Sequence, residues 1–158
     1  MPIGRAGMFD KHRPAAQNSH GCSDSTMEEV RMRIWLVLAA INGIVGVGLG
    51  AIGSHVLRGT LTPERFGWLE TGLRYHMWHA LALLAVAILI GLAGEQRSGP
   101  ALRIAAWCFL GGMVLFSGGL YLMALAGLRS LGPIVPTGGL LFIAGWIALA
   151  VYGFSLRQ

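Results

Sequence analysis

The chain has 158 residues, of which 54% are hydrophobic and only 12% are charged. A soluble domain carries about twice that charged fraction, and the charges here lie between long apolar windows. The composition therefore excludes an ordinary soluble domain and predicts a protein that crosses the membrane several times. The formal net charge of +5 fits basic residues that flank membrane spans and meet anionic head groups. It does not predict nucleic-acid binding, because no basic face or recognition motif accompanies it.

The chain begins with a polar stretch, residues 1–31, that is mixed in charge and lacks apolar periodicity. This pattern predicts a disordered tail ahead of a transmembrane domain over residues 32–158. The first predicted span, residues 34–56, carries small residues four apart on one face, which allows another helix to approach closely in the bilayer. The same face would also suit a lipid tail or a quinone-like ligand. The predicted packing positions of this span are Gly43, Gly46, Gly50 and Ser54.

The connector after the first span has the features of a helix start. Thr62 suits the N-cap and Pro63 the first helical position. Apolar residues then recur at helical spacing, which predicts a short amphipathic interfacial helix, either separate from the second span or continuous with it. Glu70 and Arg74 lie four residues apart, so we expect a weak surface ion pair between them.

Three more apolar windows follow, at residues 75–93, 102–126 and 134–156, separated by short polar turns. Each is about long enough to cross a bilayer as a helix. The predicted fold class is therefore an all-α membrane protein with four transmembrane helices. Small residues in the third and fourth windows extend the predicted helix-packing set to Gly112, Gly118, Gly119, Gly138 and Gly139.

Arginine and lysine counts predict the orientation of the spans. The amino-terminal tail, the middle turn and the carboxyl end lie on one side and hold five, two and one basic residues. The other side holds four, which are Arg58, Arg65, Arg74 and Arg129. The positive-inside rule therefore favours a cytoplasmic location for both termini.

A four-span topology brings one end of every span to the same membrane face, and the polar side chains concentrate there. Two of them, His76 and His79, are three apart on one helix, and with His55 they offer three imidazoles to zinc, copper or haem iron. Interfacial anchoring and hydrogen bonding explain the same histidines, and we favour that interpretation. The candidate polar pocket comprises His55, Glu70, Tyr75, His76, His79, Ser117, Tyr121 and Thr137.

Several function classes are disfavoured by what the sequence lacks. No Asp or Glu lies within a predicted span, so a proton-coupled antiporter would lack its membrane-embedded carboxylate. No recognisable catalytic triad, phosphate-binding loop or pair of carboxylates occurs. We therefore predict no catalytic, cofactor-binding or metal-ligating residues and no cofactor.

Four stretches, taken together, resemble a known family. They are GLGAIGSH (48–55), TGLRYHMWHALALL (71–84), LFSGGLYLMAL (115–125) and LGPIVPTGGLLFIAGW (131–146). In order and spacing they are similar to the YgdD-like family of small inner-membrane proteins, known as domain of unknown function 423. The resemblance covers about residues 32–156. It implies a four-helix protein of the bacterial inner membrane, and it implies no established activity, ligand or catalytic residue. The positions that match the family pattern include Gly50, Gly53, His55, Tyr75, His79, Ser117, Tyr121, Gly132, Pro136, Gly138 and Gly139.

The leading functional hypothesis is a non-enzymatic inner-membrane protein that serves as an assembly partner or as a lipid-binding module. Its expected interaction partners are the lipid bilayer and either further copies of the chain or a larger membrane complex. One alternative is an accessory subunit of a membrane redox complex that binds quinone, haem or metal near His55, His76 and His79. Another is an oligomeric channel or carrier for small solutes.

Overall fold

Four long helices make up most of the protein. The computed structural model describes residues 19–93 and 99–156. The helices are α1 (Ser19–His55), α2 (Pro63–Ala93), α3 (Pro100–Ala126) and α4 (Val135–Ser155). Each contains a segment long and apolar enough to cross a membrane. The predicted all-α class with four transmembrane helices is confirmed.

The first helix begins earlier than its predicted span. It starts at Ser19, within the predicted tail of residues 1–31, and its membrane-length part is Glu29–His55. Glu29 and Arg33 form an exposed ion pair of 2.5 Å one turn apart, which suits a wet helix segment before the apolar run. The predicted tail within residues 1–18 lies outside the described residues.

The second helix begins where the sequence predicts but extends further. Pro63 is its first residue, and the backbone N–H of Arg65 donates to the Thr62 hydroxyl at 3.4 Å. The predicted short interfacial helix is not a separate element, because α2 continues unbroken from Pro63 to Ala93. No proline or left-handed residue follows Pro63 within it to interrupt the hydrogen bonds. Glu70 and Arg74, both within the described residues, do not form the predicted ion pair. The ion pair found in this region joins Glu64 to Arg129.

The third helix contains a π turn. It is α-helical up to Gly112, adopts the wider turn over Met113–Ser117 and resumes as an α-helix at Gly118. Within this turn the N–H of Gly118 bonds to the carbonyl of Met113, five residues earlier. The extra residue rotates the faces of the following turns relative to the preceding ones.

The helices pack in series. α1 packs against α2, α2 also packs against α3, and α3 also packs against α4. α1 is the most peripheral helix, since only 17% of its apolar window is buried, against 50% for α3. The main core lies between the two central helices, where Leu83, Val86 and Phe109 are fully buried.

Glycines allow α3 and α4 to approach closely. A Cβ at Gly138 would overlap the backbone nitrogen of Phe116, and a Cβ at Gly145 would lie 2.5 Å from the Phe109 ring. Such contacts replace hydrophobic burial as the source of helix association in a bilayer, because lipid tails are as apolar as the side chains. The predicted packing positions placed tightly against a side chain or backbone of another helix are Gly46, Gly112, Gly119 and Gly138.

The other predicted packing positions are more open. A Cβ at Gly43 or Gly50 would meet no other described part of the chain within 4 Å, and one at Gly139 would make only ordinary contact with the Phe116 ring. Gly118 faces only its own helix at 3.8 Å. Ser54 is exposed, and its hydroxyl donates to the Ala51 carbonyl at 3.1 Å. Contact between these positions and another molecule stays a prediction.

Candidate functional site

The structure divides the predicted polar pocket into three parts. His55, Glu70 and Thr137 are exposed at the surface. The Thr137 hydroxyl donates to the carbonyl of Ile134, the residue just before α4, at 2.6 Å. The remaining members lie either in a groove between α2 and α4 or in the protein interior. Within residues 19–93 and 99–156 no group of three or more His, Cys, Asp or Glu side chains is arranged to hold a metal ion. His55, His76 and His79 are therefore not brought together as a metal site.

His79 is held by two partners. One ring nitrogen, Nδ1, is 2.7 Å from the Tyr75 carbonyl, and the other, Nε2, is 3.2 Å from the indole nitrogen of Trp146. A carbonyl only accepts and an indole N–H only donates, so the partners assign the proton to Nδ1 of a neutral imidazole. The ring also stacks on Phe142, with 3.5 Å between centroids. Both nitrogens of His79 are therefore already engaged within the protein.

An open cavity of about 380 Å³ lies beside His79, between α2 and α4. We call it the aromatic groove, and it is lined by Arg74, Tyr75, Trp78, His79 and Trp146. The side chains of Tyr75, Trp78 and Trp146 are exposed. Arg74 directly precedes the apolar part of α2, which places its cation near the membrane surface. The groove thus combines a cationic end with aromatic walls.

His76 points to a different neighbour. Its Nε2–H donates to the backbone carbonyl oxygen of Asn42 in α1 at 2.9 Å. This bond places the ring proton on Nε2, so His76 and His79 are opposite neutral tautomers. The Nδ1 atom of His76 is buried and has no hydrogen-bond partner within residues 19–93 and 99–156.

Two hydroxyl groups on α3 are likewise buried and unpartnered. Ser117 and Tyr121 are buried, and their side-chain oxygens have no hydrogen-bond partner among the described residues. The ring centroids of His76 and Tyr121 are 5.9 Å apart. We call His76, Ser117 and Tyr121 the buried polar triad. Three of the predicted pocket residues therefore form an interior group of polar side chains with unused hydrogen-bonding capacity.

Arg65 joins the start of α2 to the end of α3. Its guanidinium donates to the carbonyls of Ala124 at 2.6 Å and Leu125 at 2.7 Å. These are carbonyls that a helix end leaves without intrahelical partners. Nearby, Arg129 forms an exposed 2.5 Å ion pair with Glu64 and lies over the Trp68 ring. Sequence reasoning missed this link, since it depends on residues about sixty positions apart.

Sequence reasoning also missed Trp146 as a partner of His79. A signal was present, because a tryptophan in the middle of an apolar span carries an N–H for which lipid chains supply no acceptor. Histidine is one of the few side chains in these spans that supplies one. Which histidine accepts this hydrogen bond depends on how α2 and α4 pack against each other.

Comparison with known proteins identifies the family. A family model described as "Protein of unknown function (DUF423)" matches residues 49–139, more than half of the chain. The chain belongs to the DUF423 family. The matched range of this DUF423 protein includes the buried polar triad and all of the aromatic groove except Trp146.

Named relatives extend this assignment. The DUF423 chain is 40% identical over 121 residues to the UPF0382 membrane protein YwdK of Bacillus subtilis. The aligned residues make up 76% of this chain and 95% of YwdK. It is 39% identical over 132 residues to the UPF0382 inner membrane protein YgdD of Escherichia coli K12, covering 80% and 93% of the two chains. No solved structure matches it. The predicted resemblance is confirmed, and the protein is an integral membrane protein of a family of unknown function.

Proposed function

We propose that this DUF423 protein binds an anionic lipid-like amphiphile in the aromatic groove, and that it acts by binding rather than by catalysis. The observation that carries the proposal is the composition of the groove. Arg74 stands at one end of an otherwise aromatic surface formed by Tyr75, Trp78 and Trp146. A cation beside an apolar wall matches a molecule with an anionic head and a hydrocarbon tail.

The position of each group supports this assignment. Arg74 lies where α2 enters its apolar segment, at the depth of lipid head groups, and a guanidinium can donate two parallel hydrogen bonds to a phosphate or carboxylate. Trp78 and Trp146 follow on the membrane side and offer flat apolar surface to a chain. The cavity of about 380 Å³ falls within the range of small-molecule sites.

The hydrogen bonds of the histidines favour simple binding over a redox role. A metal or a quinone carbonyl in the groove would need a free nitrogen or N–H on His79. Both nitrogens of that ring already have partners, in Tyr75 and Trp146. In the groove, the His79 ring can therefore only form part of the wall, and the Arg74 cation is the polar group that can contact a ligand.

Native mass spectrometry tests the proposal with two synthetic lipids of equal chain length, phosphatidylglycerol and phosphatidylcholine. We expect the protein to retain phosphatidylglycerol more strongly and Arg74→Gln to lower that retention about tenfold, the effect of losing one charge-assisted interaction. Arg58→Gln is the matched control, because Arg58 is predicted at the same membrane face and does not line the groove. Equal retention of both lipids, or equal losses in the two variants, would refute the proposal.

A second candidate function is assembly, with a second copy of the chain as the partner of α1. Within the described residues, α1 packs mainly against α2 and touches α3 through the edge contact of Trp35 with Trp107. At its glycines Gly43 and Gly50, no other described part of the chain comes within 4 Å of where a Cβ would stand. Open small residues seven apart on one helix face let a second helix approach closely in a bilayer.

Energy transfer between donor-labelled and acceptor-labelled copies in vesicles tests the assembly. We expect transfer to fall to the level of a monomeric membrane protein in the double variant Gly43→Leu, Gly50→Leu. Gly153→Leu is the control, since Gly153 is an equally open glycine on α4. Transfer that is absent in the unaltered protein, or that survives the double variant, would reject α1 as the interface.

We also propose that the protein lies in the bacterial plasma membrane with both termini in the cytoplasm. The distribution of basic residues supports this orientation, with eight on the terminal side and four on the other out of 12 in all. Reporter fusions that are active on only one side of the membrane test it at Gln158. Activity of a periplasmic reporter at that position would reverse the orientation.

A further inference from the structure

Three buried polar atoms at the contact between α2 and α3 have no hydrogen-bond partner in the part of the chain that the structure describes. They are Nδ1 of His76, Oγ of Ser117 and the phenol oxygen of Tyr121. The residues are only 5%, 0% and 9% exposed. Buried polar groups in folded proteins are nearly always hydrogen-bonded to protein or to ordered water. Three exceptions in one region therefore call for a common explanation.

The helix packing places the three groups at neighbouring levels. The Tyr121 ring covers Gly72, where a Cβ would lie 2.8 Å from a ring carbon. One turn further along α2, the His76 ring is 5.9 Å from the Tyr121 ring between centroids. Ser117 lies four residues before Tyr121 and is the last residue of the π turn. Since α2 and α3 run in opposite directions, Ser117 stands at the level of His76.

α1 covers this region from the other side. A Cβ at Gly46 would be 3.4 Å from Cδ2 of His76, and the backbone carbonyl of Asn42 receives the His76 proton. This bond determines what Nδ1 can do, because a neutral imidazole with its proton on Nε2 has only an acceptor at Nδ1. A partner for Nδ1 must therefore carry an N–H or O–H.

The two hydroxyls complete the chemical description of the site. Each can donate one hydrogen bond and also accept. An occupant that donates to His76 and accepts from Ser117 and Tyr121 satisfies all three groups at once. The set carries no charged side chain, which favours a neutral molecule over an ion. Water fits this pattern, since buried waters typically make about three hydrogen bonds to otherwise unpartnered polar groups.

We propose that the buried polar triad is an internal binding site for a small neutral hydroxylic molecule, with water as its occupant. The water donates to Nδ1 of His76 and accepts from the hydroxyls of Ser117 and Tyr121. It thereby links α2 to α3 inside the membrane domain, beneath α1. This site is separate from the aromatic groove, where His79 has the opposite tautomer and two protein partners.

Conservative substitutions at the triad should change the melting temperature in opposite directions depending on whether a molecule occupies the site. If a water bonds to the triad, Tyr121→Phe and Ser117→Ala each remove a hydrogen bond, so each lowers the melting temperature. The two losses are also non-additive, because the residues share one partner. If no molecule binds there, each change removes a buried hydroxyl that lacks a partner, and the melting temperature rises. A rise in both variants overturns the proposal.

Solid-state NMR of histidine-labelled protein in lipid bilayers identifies the occupant. We expect magnetisation transfer from water to Nδ1 of His76 and an acceptor-type nitrogen shift there. Nε2 of His79 is the internal control, since its partner is the Trp146 indole. If a hydroxyl of the triad bonded to Nδ1 directly instead, water transfer would be absent, and Tyr121→Phe or Ser117→Ala would abolish the acceptor shift. That result would overturn the proposal even with unchanged melting temperatures.

Discussion

The indole N–H of Trp146 donates a hydrogen bond to Nε2 of His79 across 3.2 Å. The bond joins α4 to α2, and both of these helices also pack against α3. It fixes the tautomer of a buried imidazole and holds one wall of the aromatic groove in place. The proposed binding surface therefore depends on this hydrogen bond.

Removal of this bond should destabilise the protein. We expect Trp146→Phe to lower the free energy of unfolding by about 1–3 kcal/mol, because the buried Nε2 of His79 loses its donor. Trp107→Phe is the control, since Trp107 is also an exposed tryptophan in a span and makes an edge contact with Trp35. Denaturant titration in detergent, followed by circular dichroism, measures both. Equal losses would show that the hydrogen bond contributes nothing beyond aromatic packing.

Arg65 should matter more to stability than the ion pair beside it. Arg65→Gln removes two short bonds to the carbonyls of Ala124 and Leu125, and we expect a loss of about 2 kcal/mol. Glu64→Gln removes an exposed pair with Arg129 and should cost below about 1 kcal/mol, an effect that added salt reduces. Thermal unfolding at low and high salt compares them. The prediction fails if Glu64→Gln is the more damaging change.

Two adjacent glycines on α4 should respond differently to alanine. A Cβ at Gly138 would overlap backbone atoms of Phe116, whereas a Cβ at Gly139 would stand 3.7 Å from the Phe116 ring. We expect Gly138→Ala to cost about 3 kcal/mol, because two backbones must separate, and Gly139→Ala to be close to neutral. Gly153→Ala, in open space on the same helix, is a further control. Similar midpoints for the two adjacent variants would argue against the close crossing of α3 and α4.

Gly127 ends α3 in a left-handed conformation, with φ of 71°. The N–H of Leu128 reaches back to the Leu122 carbonyl at 3.5 Å, as in other helix ends of this kind. We expect Gly127→Ala to lower the free energy of unfolding by about 1 kcal/mol, since a Cβ is disfavoured at positive φ. Gly127→Asn, which tolerates this conformation better, should recover part of the loss. If alanine and asparagine destabilise equally, the helix end does not require this conformation.

Features that depend on nearby residues were predictable from the sequence. The four spans follow from the lengths of the apolar windows, and the start of α2 at Pro63 follows from the Thr62 cap and the preference of proline for a first turn. The sequence does not determine the continuity of α2, because both a separate interfacial helix and a continuous one satisfy the same periodicity. No local pattern in the sequence predicts the π turn at Met113–Ser117.

The histidines show what only the tertiary structure decided. The sequence alone placed His76 and His79 three residues apart at the mouth of a span, which suggested one shared site. In the folded protein His76 bonds to Asn42 of α1 and His79 to Trp146 of α4. Apolar run length and capping act over a few residues, and so they determine the helices and their bounds. The hydrogen-bond partner of a buried polar side chain is determined by which helices pack together. The position of the residue along the chain does not reveal which helices those are.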